Sequence, residues 1–261
     1  MRADTAAGRF ADVLVLGIDV SEALVDRWRG WLMPERQPYA ISADLAARLG
    51  LTEQVGPLSP ELRDSFELYG LDDETIVWLT VGQARALPAE VRRAQPAAHR
   101  WPSRSPAESV RRTIRYVEEG RRPSRHRDVG DRTWRAAAGA TPMARRLAGR
   151  FPGASGPNCF GTVMGACGVA GAEQVWMQRA PFEEWLADRA VPGGLDSEAG
   201  TVLVWRNADG AVQHAAVTLG DGWALHKPSQ GWMSPTKVLS IPQVKASSRA
   251  PGRYLHRYRL R

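Results

Sequence analysis

Two cysteines and five histidines are the scarce reactive side chains of this 261-residue chain. Cys159 stands in "GASGPNCFGT", where Gly and Pro set a tight turn and Asn158 is of the type that caps a helix. The apolar run "FGTVMGAC" predicts a helix with Cys159 in its first turn. There, unpaired amides and the positive dipole end favour thiolate over thiol. A thiolate nucleophile needs a base, and the base needs an orienting group. His214, inside the strand-like "AVQHAAVTLG", has small neighbours that leave room for an imidazole. The turn "GDG" returns the chain as "WALH", which puts His226 at a comparable distance from that turn. The two histidines are therefore expected as cross-strand neighbours on one face, with His226 orienting His214. The chemistry is acyl transfer through a thioester. Cys159 attacks an amide, ester or thioester carbonyl, its own main-chain N–H donates to the oxyanion, and His214 passes the proton to the leaving group. Cys167, deep in the apolar run, reads as a small core residue.

The order Asn-Cys-x-Gly, then "HxAxxLGDGxxxH", resembles the NlpC/P60 family of papain-like cysteine peptidases. The resemblance covers about residues 150 to 241. It implies a papain-like α+β core in which a nucleophile helix packs on an antiparallel sheet, with Cys159 as nucleophile, His214 as base and His226 as the third residue. Asn158 stands where the family commonly has Asp, and Phe160 where it commonly has Ser. That difference implies a retained mechanism on a changed substrate, contacted by Asn158 and Phe160. The loop "HKPSQGWMSP" follows the second histidine, and its Lys227, Ser229, Gln230 and Trp232 are candidates to line the substrate cleft. No cofactor is implied. One Cys and two His without a closely spaced pair make a poor zinc site.

The elements that must position these residues change character along the chain. Residues 1–145 read as a helical, Arg-rich region, and residues 146–261 as the catalytic domain. In the first part, "DVLVLGIDV" reads as one short buried strand. Ser21, Ser42 and Ser105 read as helix caps, Thr80 with Gln83 as a capping box, and Pro88 as an interruption. Thr141 and Pro142 are expected to start a helix through "MARRLAGRF". In the second part, "PFEEWLADRA" reads as an amphipathic helix. Five runs then read as strands of an antiparallel meander: "TVLVWRN", "AVQHAAVTLG", "GWALHKP", "TKVLSI" and "RYLHRYRL". "ADG" and "GDG" supply the hairpin turns.

Composition bounds the partners. A hydrophobic content of 43% with ten Trp supports a packed core. The net charge of +7 is carried by arginine, and thirteen arginines lie between Arg92 and Arg135. Such a segment is either a solvated basic face or a dock for an acidic carrier protein. No nucleic-acid motif is present and aromatics are not interleaved along the basic run, which argues against nucleic acid. The run Val13–Ile18, flanked by Asp12 and Asp19, is too short for an export signal, and no stretch approaches a membrane span. The expectation is a cytoplasmic enzyme with two free thiols acting on a small molecule or peptide. The first reading is an amidase or peptidase-like hydrolase. The alternatives are an acyltransferase or amide-forming enzyme of a specialised-metabolite pathway, and a non-catalytic basic binding module.

Overall fold

The computed structural model describes residues 13–71 and 74–261. The reading of the first twelve residues as lacking an export signal lies outside them. Two compact units are present: residues 13–15 with 19–121, and residues 16–18 with 122–261. The division falls earlier than the 145/146 boundary read from the sequence, because residues 122–145 pack into the second unit. Trp134, Ala137 and Ala144 belong to its core. Among the described residues, no helix is long and apolar enough to cross a membrane.

The first part of the chain runs β1 (Val13–Val15), β2 (Ile18–Val20), α1 (Glu22–Leu32), β3 (Gln37–Ser42), α2 (Ala43–Arg48), α3 (Pro60–Phe66), β4 (Glu74–Leu79), α4 (Val81–Ala86), α5 (Ala89–Arg93) and α6 (Pro106–Glu118). The single strand expected at "DVLVLGIDV" is instead broken in two, where Leu16 and Gly17 both take positive φ. Ser21, Ser42 and Ser105 cap α1, α2 and α6 through their hydroxyls, and Thr80 closes a capping box with Gln83. Pro88 separates α4 from α5. This part is less helical than its sequence suggested. The strands β3 and β4 pair antiparallel, with Tyr39 opposite Val77, and carry a core of Tyr39, Ile41, Val77, Leu79 and Leu87.

The second unit continues as α7 (Asp131–Ala137), α8 (Ala144–Leu147), α9 (Cys159–Ala166), α10 (Arg179–Arg189), β5 (Ala190–Pro192), β6 (Ala199–Arg206), β7 (Val212–Gly220), β8 (Trp223–His226), β9 (Lys237–Ser240), α11 (Ile241–Ser248) and β10 (Tyr254–Leu260). The expected helix after Pro142 shrinks to α8, one turn long. All five predicted strand runs form strands of one six-stranded antiparallel sheet, in the order β5-β10-β6-β7-β8-β9. The run "RYLHRYRL" does not extend the meander beyond β9. The helix α11 intervenes, and β10 returns to lie between β5 and β6. Gly220, Asp221 and Gly222 all take positive φ at the β7–β8 turn, and Asp221 accepts a hydrogen bond from Thr133 at 2.6 Å. The fold is therefore α+β with antiparallel sheets.

Side chains alternate across a strand, and here both faces of the sheet are buried. On one face Ala215, Val217, Leu219, Leu225 and Val238 pack with Phe160, Val163 and Met164 of α9 and Phe182 of α10. On the other, Leu203, Trp205, Ala216, Ala224 and Leu239 pack with Ile241 and Val244 of α11. This two-sided burial explains why β6 and β7 read as continuous apolar runs rather than strict alternation.

Candidate active site

Asn158 caps α9 as expected. Its Oδ1 accepts from the Gly161 N–H at 3.1 Å, and its Nδ2 donates to the Met177 carbonyl at 2.8 Å. Both ends of the amide are thus used inside the fold, so Asn158 holds the helix start rather than contacting substrate. Phe160 is also absorbed by packing. Its ring stacks on Phe182 with centroids 4.7 Å apart, and only 8% of the residue is exposed. Gly161 brings α9 close to the segment 172–175. A Cβ there would lie 2.2 Å from the Ala172 carbonyl oxygen.

Cys159 is the first residue of α9 and is 9% exposed. Burial pushes its thiol up to about 11, against the pull of the main-chain amides of Ala215, Phe160 and Cys159 itself and of the Lys227 ammonium. The helix-start effect expected from the sequence is present, and desolvation outweighs it. At neutral pH the group is a thiol. Cys167 caps the far end of α9, and burial pushes it to about 12. Both cysteines are free.

His214 and His226 are brought together, with one correction to their expected arrangement. Thr218 pairs with Ala224 and Val217 with Leu225. Extended by one residue, that register sets His226 opposite Ala216, so the histidines are diagonal neighbours on one face. Their rings meet edge to face at 89°, with centroids 5.8 Å apart. No hydrogen bond joins them: His214 Nε2 and both nitrogens of His226 are buried without a partner. His214 also packs on Trp205, its direct cross-strand partner. Burial, then the charge of Arg253, lowers His214 to about 4. Burial, then His214 and Lys237, holds His226 well below the usual imidazole range. Both are neutral imidazoles at pH 7.

By alternation the two rings share the face of Ala216 and Ala224, whereas α9 covers the face of Ala215. Cys159 and His214 therefore approach β7 from opposite sides. The strand β8 pairs with β7 only from Val217 onward, which leaves the main chain of Val212–Ala216 open on that side. The Ala215 amide that acts on the thiol belongs to this open stretch, one residue from His214.

The loop after His226 is ordered by its own lysine. Lys227 is 1% exposed, and its ammonium donates to the carbonyls of Ser229, Gly231 and Ser234. The Gln230 carbonyl accepts from Gly156 N–H at 2.9 Å, and Trp232 N–H donates to Ser155 Oγ at 3.1 Å. Trp232 is fully buried, so it anchors the loop and does not face a ligand. Ser229 is exposed and Gln230 half-buried. Thr236 and Arg150 pair through their main chains, with Thr236 N–H donating at 2.8 Å. Beside these ties lies a half-open cavity of about 450 Å³ lined by Arg146, Arg150, Phe151, Pro157, Glu173 and Lys227, among others. Of this lining, the sequence reading singled out Lys227 alone as a substrate contact. The run "ARRLAGRF" holds Arg146, Arg150 and Phe151, but its local texture predicts a helix and gives no sign of a cavity wall. Among the described residues, no group of three His, Cys, Asp or Glu side chains is placed to hold a metal ion.

Comparison with family models, with curated proteins and with solved structures finds no match to this chain.

Proposed function

We propose that the unit spanning residues 122–261 is a papain-like, NlpC/P60-type core that carries out cysteine-dependent acyl transfer on an amide, ester or thioester. The observation that carries this reading is that the helix-start thiol of Cys159 meets the main-chain amide of Ala215, one residue along β7 from His214 and its buried histidine partner. His214 Nε2 is buried without a partner, and this reading gives the proton of Cys159 to Nδ1. The sulfur then bonds to the substrate carbonyl carbon. The negative oxygen accepts from the Cys159 main-chain N–H. When the tetrahedral adduct collapses, the leaving group departs with the proton from His214 Nδ1 and a thioester remains on Cys159. Water, activated by the same nitrogen, releases the acid and restores the thiol.

The resting pair is thiol plus imidazole, since His214 titrates near 4 and Cys159 near 11. Proton transfer is thus coupled to attack on the carbonyl and does not precede it. His226 is a positioning residue that fixes the ring of His214 by edge-to-face packing. The deep burial of Cys159 and His214 favours a second acceptor, an amine, because a dry site spares the thioester from water. That outcome would make the protein an amide-forming acyltransferase.

The experiment is reaction with an electrophilic acyl probe, such as an activated ester, read by intact mass. Wild type should accumulate one acyl group on Cys159. Cys159→Ala should accumulate none, and His214→Ala should be slowed at least about 100-fold, the usual worth of a general base. Equal acylation of wild type and His214→Ala would overturn the reading in favour of a non-catalytic module. Adding an amine during turnover divides the two acceptors, since a transferase partitions to the amide.

A further inference from the structure

The cavity lined by the turn that precedes Cys159 has a charge character of its own. Its volume of about 450 Å³ falls within the range that holds a small organic ligand. Its wall carries three cations, Arg146, Arg150 and Lys227, and one carboxylate, Glu173. Glu173 is bonded to Arg146 at 3.0 Å, and the Lys227 ammonium is turned into the carbonyls of its own loop. Arg150 differs from both. It is exposed, and among the described residues its guanidinium makes no hydrogen bond or ion pair. Its main chain is fixed by the Thr236 pairing, so the side chain projects from a rigid base. Pro157, two residues before Cys159, lines the same cavity, and the charge of Lys227 reaches the thiol. Phe151 adds an apolar wall.

We infer that this cavity receives a carboxylate-bearing part of the acyl substrate, with Arg150 as the residue that selects it. The inference rests on Cys159 being the reacting thiol. A guanidinium presents a planar fork of donors that matches a carboxylate in a bidentate pair. The neighbouring Lys227 and the Arg146–Glu173 pair leave the wall net positive, so no other charge on it neutralises Arg150. The imidazoles do not supply this selection, because both are neutral above the acid range.

Two thiol reagents of equal size test it: bromoacetyl-glutamate and bromoacetyl-glutamine, each with its α-carboxyl capped as the amide. Each alkylates sulfur with loss of bromide, and they differ only by one side-chain carboxylate against an amide. At pH 8.5 and low salt, labelling of Cys159 should be about fivefold faster with the glutamate reagent, the size of effect one charge pair gives in a partly screened site. Arg150→Gln should remove most of that ratio, Arg150→Lys should restore part of it, and iodoacetamide should label all three proteins alike. Equal rates for the two reagents on wild type, or a ratio that survives Arg150→Gln, would overturn the inference. The acyl-probe experiment fails independently. A carboxylate preference without acylation leaves the anion site and removes the catalytic reading, whereas acylation without a preference does the reverse.

Discussion

The rings of His214 and His226 stand perpendicular, 5.8 Å between centroids, and touch without a hydrogen bond. A triad partner that binds the base through a hydrogen bond fixes both its orientation and its tautomer. An edge-to-face contact fixes orientation only. His226→Phe, which preserves an aromatic edge, should therefore keep more acylation activity than His226→Ala. Measured acylation rates check this, and equal losses in the two variants would show that a ring nitrogen of His226 is needed.

The thiol of Cys159 sits near 11 and that of Cys167 near 12. Iodoacetamide labelling of both should be slow at neutral pH and climb through pH 9 without a plateau. Cys159 should lead Cys167 by roughly tenfold, the ratio of thiolate fractions for that spacing. Lys227→Met should slow Cys159 further, because the lysine charge favours its thiolate. A labelling plateau already reached at pH 7 would instead reveal a preformed thiolate–imidazolium pair.

Both buried histidines have folded values below the unfolded one of about 6.5. The unfolded chain therefore binds protons first as pH falls, and the folded state loses stability. The contribution is complete above about 6.5 and is lost progressively down to about 4, on the order of 3 kcal/mol for His214 alone. Thermal melts between pH 7 and pH 4 should show this decline, and His214→Gln should flatten it. A melting temperature that does not change across this window would contradict the buried neutral pair.

Asn158 and Phe160 act on the fold. Asn158→Ala removes a cap and a bond to Met177, and should cost about 1–3 kcal/mol. Phe160→Ala should cost about 3–5 kcal/mol by opening the core against Phe182. Urea unfolding measures both. A change in the discrimination between bromoacetyl-glutamate and bromoacetyl-glutamine in Asn158→Ala, at unchanged stability, would return that residue to substrate contact.

Gly161 tests the close approach of α9 to residues 172–175. Gly161→Ala places a methyl against a carbonyl oxygen that belongs to backbone and cannot swing aside. The loss should be about 1–3 kcal/mol, even though alanine is the better helix former. A more stable variant in urea unfolding would show that the segment yields.

The strands of the second unit were legible because Gly-Asp-Gly and Ala-Asp-Gly turns bracket β-rich runs, and the cap of α9 was legible because Asn158 follows Gly and Pro. The pairing of β10 was not, since strand order depends on what α11 covers and not on local pattern. Also hidden were β3 and β4, a lone pair far apart in sequence. One contains Pro38 and the other is bordered by helices, so local texture pointed to helix. At the site, spacing recovered the closeness of His214 and His226. It missed that Asn158, Phe160 and Trp232 would be consumed by packing, because polarity and aromaticity do not reveal which face of the backbone is already covered. It also missed the thiol's burial, which depends on α10 and the sheet together.

The placement of β10 between β5 and β6 has a consequence for assembly order. The meander β6–β9 can zip up locally as it is synthesised, but the outer edge of β6 stays unpaired until residues 254–260 have arrived. A nascent chain halted after α11 would hold a nearly complete sheet with the long β6 margin unpaired, open to a neighbouring polysome product. Closure of that margin, and not formation of the histidine hairpin, is the step that covers the β6 edge.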